Sequence, residues 1–307
     1  MDKNTITGIV LIGLLLFGFT FYQNKQYQKQ AAYQAQLDSI ALVKQIQADS
    51  IAAVEAAQRM SSDTASVAQV AAAPVSIYKD SLLEAAHSAE AQIVTLANDK
   101  FEVAFTTKGA QPYSVKINEY SSYGGGELFI FKPEMSRYDI QVYAGETINT
   151  ADFNFVVAEK TDTSLAMRLP FAGGGYIEQR YSIAEGSYSV KNYLSFVGME
   201  NVIPKNVFSF DVDYFVTMPR MEKGYKSEVQ YSKLDYYFNG EKKPEAIAKG
   251  RSAQKRVDAR VSWFAFQQQF FSAIMRSPQE FASADFALNY FPEDDESHNL
   301  MTGEARL

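Results

Sequence analysis

Side chains able to do chemistry are sparse in this chain. It has two histidines, His87 and His298, and no cysteine. Thiolate metal sites, cysteine nucleophiles and structural disulfides are therefore excluded by composition. His87 lies in a polar lead-in and His298 in an acidic loop, outside any His-Glu-x-x-His or Gly-x-Ser-x-Gly pattern. A zinc cluster or a hydrolase triad lacks its parts. Asp211 and Asp213 sit two apart, which in a strand places both carboxylates on one face about 7 Å apart. Paired carboxylates can use that spacing, but the same pattern is the ordinary mark of a solvated strand face. Glu293-Asp294-Asp295-Glu296 is dense in charge but lacks the ligand spacing of a calcium loop, and reads as a solvated loop. Lys249, Arg251, Lys255, Arg256 and Arg260 stand against the single acid Asp258. Such a cluster can meet anionic lipid headgroups or serve as a solvated connector; the connector is the simpler reading. No catalytic, cofactor-binding or metal-ligating residue is assigned, and the chain is not expected to be an enzyme.

Composition narrows the class further. The formal charge of −7 and isoelectric point near 5.1 argue against nucleic acid as a partner. Among 307 residues there are 22 Phe and 19 Tyr, an aromatic load that suits strands better than helices.

The elements that would position any site begin with Ile6–Tyr22, ITGIVLIGLLLFGFTFY. No charge appears between Lys3 and Lys25. As a helix that uncharged run reaches about 31 Å, roughly one hydrocarbon core. Its Leu, Ile, Val and Phe residues together favour insertion by roughly 3–7 kcal/mol. A cleaved secretory signal would be shorter and end at a small-x-small site, whereas this run closes on Phe21 and Tyr22. Residues 1–24 therefore read as an uncleaved anchor, whose flanking lysines leave the orientation undecided. Residues 25–60 read as an Ala/Gln-rich spacer helix, in which LDSIALVKQIQ (37–47) is followed directly by ADSIAAVEAAQ (48–58). Residues 61–91, including SSDTASVAQVAAAP, read as a flexible linker.

From about Gln92 the apolar period becomes two. Phe101, Val103 and Phe105 alternate with Glu102, Ala104 and Thr106, and Tyr113, Val115 and Ile117 alternate with Ser114, Lys116 and Asn118. Ile177, Tyr181 and Ile183 oppose Glu178, Arg180 and Ser182. Phe208, Phe210, Val212, Tyr214 and Val216 share a face opposite Ser209, Asp211 and Asp213, and are expected to be buried together. Gly124-Gly125-Gly126, Gly173-Gly174-Gly175, Glu185-Gly186 and Asn239-Gly240 punctuate the runs as turns. Neither glycine triplet is followed by the Lys-Ser/Thr of a phosphate cradle. Residues 92–307 thus read as packed antiparallel sheets, a sandwich or barrel. Trp263–Met275, WFAFQQQFFSAIM, is too short to cross lipid and reads as a core or interface element.

Three stretches carry a family resemblance. The start MDKNTITGIVLIGLLLFGF, the segment LANDKFEVAFTTKGAQPYSVKINEY (Leu96–Tyr120) and WFAFQQQFFSAI (Trp263–Ile274) together resemble YidC-type membrane protein insertases of Gram-negative bacteria. The resemblance implies an N-terminus in the cytoplasm, residues 6–22 in the inner-membrane lipid, and a periplasmic β-super-sandwich of the galactose-mutarotase type. It implies the Sec translocon and nascent inner-membrane proteins as partners. It also implies that residues 1–307 are the N-terminal part of an insertase, because the family's five further transmembrane helices and essential groove arginine find no counterpart here. Two other classes stay open. One is a membrane-anchored carbohydrate-binding or mutarotase-like enzyme, which would need a histidine and a carboxylate in one cleft. The other is a membrane-anchored adaptor that binds a partner along a strand edge.

An intact-mass measurement of the membrane-extracted protein is expected to show a chain that retains Ile6–Tyr22. A mature chain beginning at Ala32 or later would rule the anchor out.

Overall fold

The computed structural model describes residues 78–307. The expected anchor (1–24), the spacer (25–60) and most of the linker fall outside them. All the described residues lie within one compact unit, Val75–Leu307. Among them no helix is long and apolar enough to cross a membrane.

Strands dominate, as the period of two requires. In chain order they are β1 (Ile93–Ala97), β2 (Phe101–Thr106), β3 (Gln111–Ser121), β4 (Glu127–Phe131), β5 (Ser136–Tyr143) and β6 (Thr147–Asn149). There follow β7 (Val156–Lys160), β8 (Ser164–Pro170), β9 (Tyr176–Ile183), β10 (Val190–Val197), β11 (Asp211–Pro219) and β12 (Lys233–Phe238). The last are β13 (Glu245–Ile247), β14 (Ala253–Val257), β15 (Val261–Gln267), β16 (Ser272–Phe281), β17 (Ala284–Tyr290) and β18 (Asn299–Arg306). Two short helices accompany them, α1 (Ser81–Ser88) and α2 (Tyr225–Tyr231). The strands form four antiparallel sheets, ordered β1-β2-β3-β4, β10-β9-β8-β7, β14-β17-β18-β11-β5-β6 and β13-β12-β15-β16. The mainly antiparallel β architecture is the one the alternation demanded.

The glycine signals fall at turns. Gly125 donates its N–H to the Ser122 carbonyl between β3 and β4, and Gly174 donates to Phe171 between β8 and β9. Gly175 has a φ of +80°, and a Cβ there would lie 2.4 Å from the carbonyl oxygens of Val197 and Gly198. Only glycine fits that position.

Apolar faces meet in a continuous core. In the N-terminal half Phe105 of β2 lies 4.5 Å from Tyr181 of β9, centroid to centroid, and the Tyr181 hydroxyl donates to the Ala110 carbonyl at 2.8 Å. In the C-terminal half the six-stranded sheet packs on the β13-β12-β15-β16 sheet. Phe264 lies 5.2 Å from Phe286 and 6.3 Å from Tyr214, and Phe266 lies 6.1 Å from Tyr214. Gly303 on β18 faces the ring of Phe266, where a Cβ would come within 2.7 Å of three ring atoms.

Two expectations need correction. Val212 and Val216 are buried, but Phe208 is 91 % exposed and Phe210 is 42 % exposed. β11 starts only at Asp211, so residues 206–210 precede the sheet and their alternation has no partner strand; Phe210 instead meets Phe196 at 5.7 Å. Second, the described end of the 61–91 linker contains α1. Asp80 caps that helix, accepting from the Leu82 and Leu83 N–H groups at 2.8 and 3.3 Å, and Leu83 is buried. The Ala86 carbonyl accepts from Asn154 N–H at 2.8 Å, which fastens the helix to the body. On the polar side of β9, Glu178 is buried between Arg168 at 2.7 Å and Arg180 at 3.1 Å.

Phe264→Ala is expected to cost about 3–5 kcal/mol, since it empties a fully buried site. Phe208→Ala should stay within about 0.5 kcal/mol. Urea unfolding of the full chain checks both, and comparable costs would mean the start of β11 is misplaced.

Candidate functional site

The outward face of the six-stranded sheet is built by alternation: as Val212, Val216, Phe286 and Met301 turn inward, their neighbours turn out. Register then sets charges side by side. Arg256 of β14 stands opposite Asp285 of β17, Asp285 opposite Arg306 of β18, Arg306 opposite Asp213 of β11, and Asp213 opposite Asp139 of β5. The row crosses five strands. Arg256 reaches Asp285 at 2.9 Å and Asp258 at 2.7 Å. Arg306 reaches Asp213 at 2.8 Å, and Gln141 donates to the other Asp213 oxygen at 2.9 Å. Asp139 is fully buried; Arg137 donates to one of its oxygens at 2.9 Å, and Ala151 N–H and the Thr150 hydroxyl to the other. Around this row lies a depression of about 790 Å³, lined also by Phe215, Gln254 and Glu304.

Every carboxylate of the row already faces a cation or a neutral donor. The hydrogen bond to Asp213, aided more weakly by the charges of Asp211 and Asp285, holds the guanidinium of Arg306 firmly charged. Such a surface can orient a polar ligand, but the carboxylates of the row itself are already engaged and offer no free base.

The candidates singled out by residue type are not brought together. Asp213 belongs to the row, while Asp211 is exposed at the start of β11. The ring of His87 on α1 packs near Tyr78 and Phe153, its Nδ1 lying 3.1 Å from the Asp152 carbonyl. His298 is exposed in the loop before β18 with a φ of +54°. Glu293, Asp294 and Glu296 are exposed in the same loop. The basic run 249–260 is divided: Arg256 joins the row, while Lys249 lies beside Lys226 and Tyr225 of α2. Among the described residues no group of three His, Cys, Asp or Glu side chains could hold a metal ion.

Sequence reasoning missed Asp139 and Glu228. RYDIQVY alternates, and so puts Asp139 with Arg137 on the polar face; only the fold of residues 149–152 over it causes its burial. Glu228 of α2 is fully buried and accepts from Met221 N–H at 3.0 Å. Burial pushes its carboxyl above the usual range, against the pull of the Met221 and Glu222 N–H groups. The signal available was YKSEVQY, which puts Glu228 one turn from Tyr225 on the helix.

No family model matches the chain. It is 29 % identical over 282 residues to the membrane protein insertase YidC of Bacteroides fragilis, covering 92 % of this chain and 44 % of that protein. Against the YidC of Phocaeicola vulgatus it is 28 % identical over 285 residues, covering 92 % and 44 %. Against that of Porphyromonas gingivalis it is 27 % identical over 283 residues, covering 90 % and 43 %. Over most of its length the chain is similar to the YidC-type insertases. It spans less than half the length of the curated YidC proteins it matches. Of the segments that carry the YidC resemblance, Leu96–Tyr120 covers the end of β1, β2 and nearly all of β3, and Trp263–Ile274 covers most of β15, the hairpin turn and the start of β16. In fold it is similar to a galactose mutarotase-like protein from Lactobacillus casei (TM-score 0.38, 13 % identity, 70 % of this chain and 87 % of that one). It is likewise similar to a putative aldose 1-epimerase from Escherichia coli (TM-score 0.40, 9 % identity, 71 % and 87 %). These two likenesses concern the fold alone.

Glu228 gives a test by pH. Its folded carboxyl titrates above the unfolded one, so folding takes up a proton between the two values. Stability should fall as pH rises from the ordinary glutamate range through the raised one, and then level off. Glu228→Gln keeps an acceptor for Met221 N–H and should flatten that part of the profile, read as urea midpoint against pH. An unchanged slope would mean that Glu228 is solvated.

Proposed function

We propose that residues 1–307 are the N-terminal part of a YidC-type insertase of the bacterial inner membrane. In this reading Ile6–Tyr22 spans the bilayer with its start in the cytoplasm, and residues 92–307 form the periplasmic domain, with α1 packed on it. The observation that carries the reading is a 29 % identity sustained over 92 % of the chain. The whole protein assists insertion and folding of inner-membrane proteins, with the Sec translocon or independently. This part holds a β-domain at the outer face of the membrane, where it positions partners or shields emerging segments. It is not an enzyme in this reading, and the likeness to mutarotases lies in the fold.

Insertion needs a water-lined place where polar flanks of a substrate enter without meeting bare hydrocarbon, and building one takes several helices. Residues 1–307 hold one uncharged run long enough to span, with no ionisable residue inside it. Reconstituted alone in liposomes, they should leave a small single-span substrate fully accessible to protease. Protected substrate above the empty-liposome background would overturn this division of labour.

A further inference from the structure

Three loops meet at the C-terminal end of β11. They are residues 122–126 between β3 and β4, 220–224 between β11 and α2, and 268–271 at the tip of the β15–β16 hairpin. The backbone of Pro219–Met221 joins them: Tyr123 N–H donates to the Met221 carbonyl at 3.0 Å, and Gln268 Nε2 donates to the Pro219 carbonyl at 2.7 Å. The hairpin tip closes on itself through Gln268 N–H and the Phe271 carbonyl at 2.8 Å. The ring of Phe271 meets Tyr120 edge-on at 5.7 Å.

Beneath this platform the polar groups are buried, and above it the apolar ones are not. Glu228 and Gln268 are fully sequestered, yet Tyr120, Tyr123 and Phe270 are 55 %, 58 % and 68 % exposed. Loops 122–126 and 268–271 carry no charge at all. In 220–224, Arg220 is spent on the carbonyls of Asn299, Pro292 and Glu293, and Glu222 is partly buried. Lys223 remains exposed, its Nζ 5.5 Å from the Tyr123 ring centroid, with Lys226 exposed nearby. Tyrosine, phenylalanine and lysine around a backbone whose hydrogen bonds are closed is the composition that partitions to a membrane–water interface.

Chain length allows such contact without dictating which face makes it. Residues 23–77 separate the uncharged run from Tyr78, and that length can reach at most roughly 190 Å. The face that meets the bilayer is therefore chosen by its side chains. We propose that these three tips dock the domain on the surface of the bilayer that holds the chain, with Phe270 at the acyl boundary and Lys223 at headgroup level. The inference rests on the reading of Ile6–Tyr22 as an anchor.

The absence of cysteine allows a clean test. The full chain carrying Phe270→Cys, Tyr123→Cys or Phe208→Cys is labelled with an environment-sensitive fluorophore. Each is reconstituted in phosphatidylcholine–phosphatidylglycerol vesicles with and without spin-labelled lipid. Phe208 lies beyond the opposite end of β11, about 27 Å away along the strand, and is equally apolar. Labels at 270 and 123 should shift to the blue and be quenched by the spin label, while the label at 208 stays water-like. Lys223→Glu should weaken quenching at 270, with an unchanged urea midpoint showing that the fold is intact. Three results would overturn docking alone: a floating chain with a water-like label at 270, equal quenching at 208, or a blue shift that follows protein density without lipid quenching, the mark of a second copy. A chain that fails to float with the vesicles overturns both docking and the anchor.

Discussion

The close approach of Phe266 to the bare backbone at Gly303 sets the distance between the two C-terminal sheets. A side chain at 303 would collide with the ring, so the residue without one lets β15 and β18 come together face to face. Beside that contact Tyr214, Phe264, Phe286 and Tyr236 form a chain of aromatic pairs between 5.2 and 6.3 Å. Aromatic side chains bring large buried area with few rotatable bonds, which suits a core made of strands joined at long sequence separation. The cost is that Tyr214 and Tyr236 carry hydroxyls into it. Burial pushes both phenols above their ordinary range, and Tyr236 donates to Glu245 at the edge of the sheet.

Once the inner faces are fixed, strand periodicity decides the outer ones. The row from Arg256 to Asp139 follows from register alone: each of its residues lies opposite the next across a sheet whose other side is apolar. Surface ion pairs contribute little singly, and Arg256 and Arg306 are largely exposed. Their consequence is for specificity. A face whose cations and anions already satisfy one another presents little unpaired charge to an incoming anion, in keeping with the acidic balance of the whole chain.

How far the sequence foretold this depended on whether each feature was local. Phe101, Val103 and Phe105 alternate and are all buried, and the glycine clusters fall at turns, because pleat and turn chemistry are written within a few residues. The start of β11 was not legible, since Phe208 and Phe210 continue the same alternation and only the absence of a partner strand leaves them outside. α1 was missed because alanine-rich composition hid two decisive residues, the Asp80 cap and buried Leu83. Likewise the basic run 249–260 looked like one patch; β14 takes Arg256 onto the sheet and leaves Lys249 beside α2. Burial of Asp139 and Glu228 depends on segments distant in sequence, which periodicity cannot see.

The strand edges bear on how the domain can meet other molecules. A long, flat, apolar edge invites another strand, and an adaptor working by strand addition would need one. β6 and β13 are three residues each. β7 is interrupted by a bulge between Val157 and Glu159, and β14 carries Lys255 and Arg256. β16, the longest outer strand, bears Arg276 and Pro278, and proline can donate no ladder hydrogen bond. These are the devices that blunt an edge. On these edges, shortened, bent or charged, strand addition loses much of its template, whereas β10 presents an unbroken eight-residue edge. Exposed aromatic side chains at loop tips, such as Tyr123 and Phe270, are among the places where this fold leaves apolar surface open to contact.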